Sequence, residues 1–467
     1  MKTIKYKTQE EILYRGRQAV GLTFGEIDKY GRADSKELKG GIGHVVEESW
    51  YGYKINSDAR PDFPEAGVEL KVTGVVRDKN GEYRAKERLV LNIINYIKEV
   101  KTTFETSSFW CKNKTLMLFI YEYLKDRPRS EFPVLAAELF TYPTEDLFII
   151  RDDWEKIVGK IRAGRAHEIS EGDTLYLGAC TKGATAESSM KQQPYSDIPA
   201  KQRAYCLKNK YMTYVIRTLF GKQRDESIVR DAKVLENKSF ENYVIGKLDE
   251  YRDKSVEELK TEFKVTSKAK NLESMLVFRV LGIRGNKAEE LEKAGVVVKT
   301  IRINNGIIKE HMSFPVFKFC ELANETWEDS TFGNYLRDTR FLFIVFRDNR
   351  LSGGQFWNIP YSDLEGNVKK VWEETRDIIR DGKLMVSIHN GTMRNNFPKQ
   401  KDNSVSHVRP HGQTREGSVN VLPEGTKVNI VSTDGSYVWP YENKFPDHCF
   451  WLNRTYILSQ LDKKFKM

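Results

Sequence analysis

The sequence predicts an α/β protein in which mixed sheets are flanked by helices, arranged as two tandem, pseudo-repeated domains. Short apolar runs alternate with helical patterns along the whole chain. Features of the first half recur in the same order in the second half. A chain of 467 residues with 39% hydrophobic content is also long enough to form two or three packed domains.

The first half begins with helices and continues with strands. Apolar spacing predicts a helix over Glu10–Val20 and, after a loop rich in Gly and Asp, a second helix around Ile42–Trp50. Alternating apolar residues at Val68–Val72 and Leu89–Ile97 predict half-buried strands. The apolar run Leu116–Tyr121 predicts a fully buried strand, since it is far shorter than the roughly 20 residues that cross a bilayer.

The repeat rests on paired segments that keep their order. The pairs are PEAGVELKV at 64–72 with EKAGVVVKT at 292–300, LMLFIY at 116–121 with FLFIVF at 341–346, Trp154 and Gly164 with Trp372 and Gly382, and AYCLKNKY at 204–211 with CFWLNRTY at 449–456. The polar stretch 221–236 is typical of a connection between domains. We therefore expect a first domain over 1–220, a linker over 221–236 and a second domain over 237–467.

Composition narrows the class of function. A formal net charge of +10 favours a polyanionic partner such as nucleic acid. The five cysteines are scattered and form no CxxC pair, so neither a disulfide framework nor a zinc site is predicted. The N-terminal residues lack the apolar core of a signal peptide, and no apolar run is long enough for a membrane span. We expect a cytoplasmic protein without a membrane partner.

The candidate chemical site is PDFPEAGVELKV, residues 61–72. In a β-strand alternate side chains share a face, so Glu69 and Lys71 are expected on one side and Leu70 on the other. Asp62, Glu69 and the Leu70 backbone carbonyl offer the oxygen ligands that Mg²⁺ prefers. Lys71 would then lie beside the attacking water and the scissile phosphate. The alternative is a surface hairpin whose Asp, Glu and Lys form ordinary solvated pairs.

The segment KGGIGHVVEE at 39–48, together with DFPEAGVELKVT at 62–73, resembles the MutH-related family of GATC-specific DNA endonucleases. In particular it is similar to the two-domain type II restriction enzymes of the Sau3AI type. The resemblance implies a restriction-endonuclease-like, MutH-like fold. It also implies that Lys39, with the glycines that follow it, opens a helix whose glutamate joins Asp62, Glu69 and Lys71. That glutamate is Glu47 or Glu48, and the spacing from Gly43 favours Glu47 as catalytic residue and metal ligand.

The resemblance also implies residues that contact DNA. Segments 109–121 and 203–216 are similar to a strand and a closing helix of the family, with Lys112, Arg203 and Lys208 as candidate DNA-binding residues. Residues 177–193 occupy the place of the family's recognition loop. Lys182 in that loop is a candidate base reader, since a lysine suits guanine O6 and N7. A phosphate contact, which carries no sequence information, is the alternative role for Lys182.

The second half lacks a complete site. Alignment of the two halves places Val297 at the Glu69 position, Lys299 at the Lys71 position and Glu290 at the Asp62 position. Valine cannot bind Mg²⁺, so the second domain is predicted not to cleave. In the resembled enzymes such a copy binds a second recognition site and activates cleavage. A loop over 390–411 is the candidate DNA-facing surface, or else an ordinary solvated loop; its basic residues include Arg394, Lys399, Lys401 and Arg409.

These observations predict a Mg²⁺-dependent type II restriction endonuclease that cuts duplex DNA on the 5′ side of G in GATC. We expect four-base 5′ overhangs, transient homodimerisation on DNA, and no nucleotide cofactor, because the sequence has neither a Walker A loop nor a convincing GxGxxG motif. The alternatives are a MutH-like strand-nicking repair enzyme, which would have a single domain, and a DNA-binding regulator without catalysis.

Overall fold

The computed structural model describes residues 6–35, 41–55, 59–183, 189–267, 269, 271–389, 392–411, 418–433 and 443–466. The chain divides into two compact units. Unit 1 comprises residues 1–244 and 281–296, and unit 2 comprises residues 245–280 and 297–467. In the part of the chain that the structure describes, no helix has the length and apolar character required to span a membrane.

Unit 1 contains an open mixed sheet and a second, antiparallel sheet. Its strands are β1 (Glu69–Arg77), β2 (Tyr83–Ala85), β3 (Leu89–Ile93), β4 (Thr115–Glu122), β5 (Val134–Thr141), β6 (Leu177–Thr181), β7 (Met190–Gln193), β8 (Ser196–Lys201) and β9 (Arg203–Leu207). The mixed sheet has the order β2-β1-β4-β5, in which β1 and β4 are parallel and the outer pairs are antiparallel. The second sheet has the order β3-β9-β6, and β7 pairs with β8.

Helices cover the mixed sheet of unit 1. They are α1 (Gln9–Arg17), α2 (Phe24–Ile27), α3 (Gly41–His44), α4 (Tyr96–Glu99), α5 (Ser108–Asn113), α6 (Thr144–Arg162) and α7 (Asn209–Leu219), with a π-helical turn at Val45–Trp50 and 3-10 turns at Arg129–Glu131, Ala166–Glu168 and Glu171–Asp173. Helix α1 begins after a capping box in which the Thr8 hydroxyl accepts from the Glu11 N–H. Helix α6 buries the whole side chain of Trp154, which anchors it to the core.

A helical segment follows the polar stretch that the sequence indicated as a connection. It contains a 3-10 turn at Ala232–Leu235 and the helices α8 (Phe240–Asp249), α9 (Val256–Glu262), α10 (Leu272–Val280) and α11 (Glu289–Ala294). Glu290 of α11 accepts hydrogen bonds from the Ile228 and Val229 N–H groups and from the Ser227 hydroxyl. This carboxylate, which alignment placed at the Asp62 position, therefore holds the connecting segment.

Unit 2 repeats the sheet arrangement of unit 1. Its strands are β10 (Val297–Asn304), β11 (Ile307–Ile308), β12 (Met312–Val316), β13 (Phe341–Arg347), β14 (Arg350–Trp357), β15 (Met385–His389), β16 (Thr392–Asn395), β17 (Ser406–Pro410), β18 (Val419–Val421), β19 (Asn429–Thr433), β20 (Lys444–Pro446) and β21 (His448–Leu452). Its further helices are α12 (Phe319–Asn324), α13 (Thr331–Asp338), α14 (Tyr361–Asp363), α15 (Lys369–Arg380) and α16 (Arg454–Gln460), with a π-helical turn at Leu364–Val368 and a 3-10 turn at Lys463–Phe465.

The mixed sheets of the two units correspond strand for strand. The order β11-β10-β13-β14 has the same parallel centre and antiparallel flanks as the sheet of unit 1. Glu69 of β1 pairs with Leu116, and Val297 of β10 pairs with Phe341, the residue that aligns with Leu116. Orders β3-β9-β6 and β12-β21-β17 match as well. The internal repeat predicted from sequence is thus present in the fold.

One prediction for the second half is wrong in its local structure. Residues 390–411 do not form one loop, because the part of this segment that the structure describes contains β16 and β17. Arg394 lies on β16 and Arg409 on β17, and both side chains are exposed. Arg394 and Arg409 thus occupy solvent-facing positions of strands, whereas Lys399 lies between the two strands and is half-buried.

Candidate active site

A tight turn ahead of β1 brings Asp62 against the first residues of that strand. The Phe63 N–H donates to the Val68 carbonyl at 2.9 Å, and Gly67 closes the turn with a φ of +65°, a conformation that favours glycine. The Asp62 N–H donates to Glu69 Oε2 at 3.1 Å, and the Leu70 N–H donates to Asp62 Oδ2 at 3.0 Å. These reciprocal bonds hold both carboxylates at one end of β1.

Two lysines lie beside the Glu69 carboxylate. Glu69 is only 2% exposed, and its Oε1 accepts from Lys71 Nζ at 2.7 Å. Lys112 Nζ, at the end of α5, lies 3.7 Å from the same oxygen. Burial raises the pKa of Glu69, while Lys71 and Lys112 oppose that rise. The structure thus brings Lys112, which sequence analysis assigned to DNA, into the carboxylate cluster.

Glu47 completes this cluster from the π-helical turn. It lines a cleft of about 740 Å³ together with Asp62 and Leu70. Burial, and then the negative charges of Asp62 and Glu69, raise the pKa of Glu47 to about 7. The neighbouring Glu48 instead forms an ion pair with Arg32, with Nη1 and Oε2 2.7 Å apart. Of the two adjacent glutamates, Glu47 faces the site.

The cleft also carries basic residues that sequence analysis missed. Lys86, Arg127 and Arg129 line it, and all three side chains are exposed. Lys86 Nζ lies 4.6 Å from the centre of the Tyr123 ring. The dense charges of residues 125–129, KDRPR, were the signal in the sequence. Exposed cations around a carboxylate cluster are suited to hold a phosphate backbone beside it.

Within the part of the chain that the structure describes, few side chains near the end of β1 are placed to bind a metal ion. Among the described residues, no three His, Cys, Asp or Glu side chains lie close enough together to hold one metal ion. Asp62, Glu69 and the Leu70 carbonyl remain as the compact set of oxygens at the end of β1. Glu47 interacts with these carboxylates through its charge, and its assignment as a further metal ligand stays a prediction.

Two predicted DNA contacts in unit 1 need correction. Arg203 is buried and its Nη1 donates to the Ala179 carbonyl at 2.6 Å. Lys208 is also buried, and its Nζ donates to the carbonyls of Glu171 and Thr174. Both cations therefore stabilise the backbone of their own unit instead of facing DNA.

The remaining candidates are placed as follows. Lys182 is half-buried just after β6, where its N–H donates to the Gln202 carbonyl at 2.7 Å. Lys39 lies outside the described residues.

In unit 2, the Arg409 guanidinium lies 5.2 Å from the centre of the Trp451 ring, and Lys399 Nζ donates to Asn395 Oδ1. Burial lowers the pKa of Lys399.

The pKa of Glu47 leads to a testable pH dependence of stability. A carboxyl whose pKa rises from 4.5 to about 7 on folding binds more protons when folded. Its stabilising contribution is present below pH 4.5 and is lost as the pH rises through 7. Because Glu47 is partly exposed, we expect a loss on the order of 1–2 kcal/mol. Urea unfolding of the metal-free chain across this range should show the loss, and Glu47→Gln should remove it.

Glu48→Gln is the matched control. It removes a carboxylate that raises the pKa of Glu47 less than burial, Asp62 and Glu69 do, so most of the difference in stability between low and neutral pH should remain. If Glu47→Gln and Glu48→Gln reduced the pH dependence of the free energy of unfolding equally, the result would contradict the assignment of Glu47 to the site.

Known proteins resemble this chain over part or nearly all of its length. The family model for MutH, described as DNA mismatch repair enzyme MutH, matches residues 51–153. The type II restriction enzyme Sau3AI of Staphylococcus aureus is 38% identical over 492 residues, which cover 98% of this chain and 99% of that enzyme. The DNA mismatch repair protein MutH of Shewanella woodyi is 30% identical over 186 residues, covering 39% of this chain and 78% of that protein.

The MutH protein of Vibrio vulnificus is 25% identical over 232 residues, covering 47% of this chain and 97% of its own length. The repair proteins thus match about half of the chain, whereas the restriction enzyme matches both units. The predicted MutH-like fold is confirmed. This chain belongs to the family of type II restriction enzymes that includes Sau3AI, and is a site-specific endonuclease with a MutH-like domain in its first half.

Proposed function

We propose that the chain recognises GATC in duplex DNA and hydrolyses the phosphodiester on the 5′ side of G with Mg²⁺, leaving 5′-phosphates and four-base 5′ overhangs. The observation that carries this proposal is the cluster at the end of β1. There the Asp62 and Glu69 carboxylates are fixed by backbone hydrogen bonds, and the Lys71 ammonium lies 2.7 Å from Glu69.

The residues at this end of β1 fit a hard divalent cation. Mg²⁺ binds proteins through one or two carboxylates and completes its shell with waters and substrate phosphate oxygens. Asp62, Glu69 and the Leu70 carbonyl offer such a set. Burial first, and then the negative charges of Asp62 and Glu69, raise the pKa of Glu47, and a cation bound among these carboxylates would offset that repulsion. When bound, Mg²⁺ supplies Lewis-acid polarisation of the phosphate and lowers the pKa of a water ligand.

The side chains around the cluster have distinct roles in this proposal. Lys71 directs its ammonium to the attacking water and offsets the negative charge that builds up on the phosphate. Lys71, and to a smaller extent Lys112, oppose the rise that burial causes in the pKa of Glu69. The carboxylate of Glu47 adds to the negative charge of Asp62 and Glu69 and so favours a bound cation. The exposed Lys86, Arg127 and Arg129 hold the DNA backbone at the cleft.

Unit 2 has a separate role in the proposal. Val297 occupies the position of Glu69 and packs against the hydrophobic core, so this unit lacks the metal ligand of unit 1. We assign to it the binding of a second GATC site that activates cleavage by unit 1. Because one site cuts one strand, a double-strand break requires two catalytic domains or two sequential events, and we expect transient dimerisation on DNA. We retain residues 1–220, 221–236 and 237–467 as proposed domain and linker boundaries.

We place the enzyme in the cytoplasm. All five cysteines are free thiols in the structure, with Cys111 and Cys320 exposed. Exposed unpaired thiols are typical of proteins that remain in a reducing compartment.

The test of the proposed function is cleavage of an unmethylated plasmid that carries several GATC sites, with Mg²⁺ and with EDTA. We expect linear fragments with 5′-GATC overhangs in Mg²⁺ and intact plasmid in EDTA. A second plasmid in which every GATC is changed to GTAC serves as the sequence control and should stay intact. The fragment ends are mapped by sequencing.

Other products would contradict specific parts of the proposal. Nicked circles without linear product would indicate strand nicking, as expected of a repair-type enzyme. Cleavage of the GTAC control would refute GATC recognition, and cleavage in EDTA would refute metal dependence. A one-site plasmid cut as fast as a many-site plasmid would refute activation by unit 2.

A further inference from the structure

The fold places a lysine of unit 2 at the position of the catalytic lysine. Lys299 pairs with Phe343 in β10 and β13, as Lys71 pairs with Leu118 in β1 and β4. Each lysine stands two residues after the strand's first residue, Val297 in unit 2 and Glu69 in unit 1. The lysine is thus retained in the copy that has lost the carboxylate.

Lys299 lines a pocket of about 500 Å³. The pocket lies along β10 and is also lined by Ser274 of α10, by Asn304, and by His311 and Ser313 next to and in β12. These side chains offer hydroxyl, amide and imidazole groups, all of which bind phosphate oxygens. The pocket belongs wholly to unit 2.

The Lys299 ammonium has no partner within the part of the chain that the structure describes. Its pKa is lowered, and burial is the cause. The contrast with Lys71 is direct, since Lys71 forms a 2.7 Å ion pair with Glu69. A half-buried cation without an anion is costly, so its retention suggests that an anion reaches it from outside.

The charged side chains that line the pocket favour an anion over a cation by one charge. Three are cationic, Lys299, Arg302 and Lys309, and two are carboxylates, Glu273 and Glu310. Arg302 is paired with Glu273, with Nη2 and Oε2 2.7 Å apart. Burial, and then the positive charges of Arg409 and Arg454, lower the pKa of His311, so these two arginines add positive charge near this end of the pocket.

We propose that this pocket binds a phosphodiester of DNA without cleaving it, with Lys299 on the phosphate that corresponds to the scissile one in unit 1. This inference rests on the proposed function, because DNA is the partner assigned there to unit 2. It adds the residue and the phosphate through which the second unit engages DNA. Val297, in place of Glu69, explains why the bound phosphate is not hydrolysed.

The test uses the full chain in a Lys71→Met background, so that DNA is bound without being cut. A fluorescent GATC duplex is titrated to measure how many duplexes bind per chain and with what affinity. We expect two binding events in the background variant. Addition of Lys299→Met should weaken the second event at least tenfold and reduce its log–log salt slope by about 0.9, the loss of one phosphate contact.

Two controls separate this effect from misfolding. Lys370→Met changes an exposed lysine of unit 2 and should leave both binding events unchanged. The Tm of Lys299→Met should equal or exceed that of the background, because the substitution removes an unpaired, half-buried charge. A second probe is a duplex with a neutral methylphosphonate on the 5′ side of G. For the chain that keeps Lys299, this duplex should weaken the second binding event as much as Lys299→Met weakens it for the natural duplex.

The outcomes distinguish the two proposals. Two binding events that are both insensitive to Lys299→Met and to the methylphosphonate would overturn the pocket while leaving a DNA-binding second unit in place. A single binding event in the background variant would overturn both the second DNA site and the pocket. If Lys299→Met and the methylphosphonate each weaken only the second binding event, the result supports the proposal that the pocket binds a phosphodiester.

Discussion

Lys71→Met is expected to lower the rate of GATC cleavage by at least about 10²–10³-fold, the usual cost of removing one preorganised charge from a site of developing charge. Lys71 Nζ is held 2.7 Å from Glu69, and its side chain is 15% exposed. The ion pair therefore restricts the Lys71 side chain beside Glu69 before the reaction begins. Single-turnover cleavage of a short duplex at saturating enzyme measures this chemical step directly.

DNA affinity should change little in Lys71→Met, since binding relies on many phosphate contacts and this lysine supplies at most one. Lys71→Arg should not restore the rate, because a planar guanidinium cannot replace a compact ammonium beside Glu69. Lys101→Met, an exposed position of unit 1, is the control and should cleave at the native rate. A Lys71→Met rate within tenfold of native would refute the catalytic assignment.

The two central strands at the site were predictable because each depends on a local pattern. The buried run in β4 and the alternation in β1 identify them as strands, and the order of the repeated segments reveals the duplicate. Their parallel pairing was not predicted. Lys112 was harder to place. It is 43 positions from Glu69, and only the parallel pairing of β1 with β4 brings the end of α5 next to that carboxylate.

The spacing from Gly43 favoured Glu47 over Glu48, and the structure places Glu47 at the cleft. An α-helix turns by about 100° per residue, but Val45–Trp50 forms a π-helical turn, which changes that angle. The predicted DNA contacts of Arg203 and Lys208 were wrong for another reason. Their basic character suggested DNA, yet their partners are backbone carbonyls in segments far along the sequence, such as Glu171 and Thr174. The sequence shows that a residue is charged, but it does not show which distant carbonyl accepts its hydrogen bond.

Asp62→Asn is expected to have the second large effect, a loss of cleavage of at least about 10²–10³-fold together with weaker Mg²⁺ binding. The amide oxygen of Asn can still accept from the Leu70 N–H, so the turn ahead of β1 should be preserved. What disappears is one negative charge at the end of the strand. Cleavage rates measured over a range of Mg²⁺ concentrations should show a raised metal requirement, as far as activity remains.

The same substitution has a consequence that does not depend on activity. After burial, Asp62 is the largest cause of the raised pKa of Glu47. Removal of its charge should therefore move the Glu47 titration below its native value near 7. Carbon-detected NMR of the metal-free chain, with Glu47→Gln to identify the resonance, measures this shift. If Asp62→Asn abolished cleavage but left the pKa of Glu47 unchanged, the two carboxylates would not share one site. Glu47 would then have to be assigned to a site separate from Asp62 and Glu69.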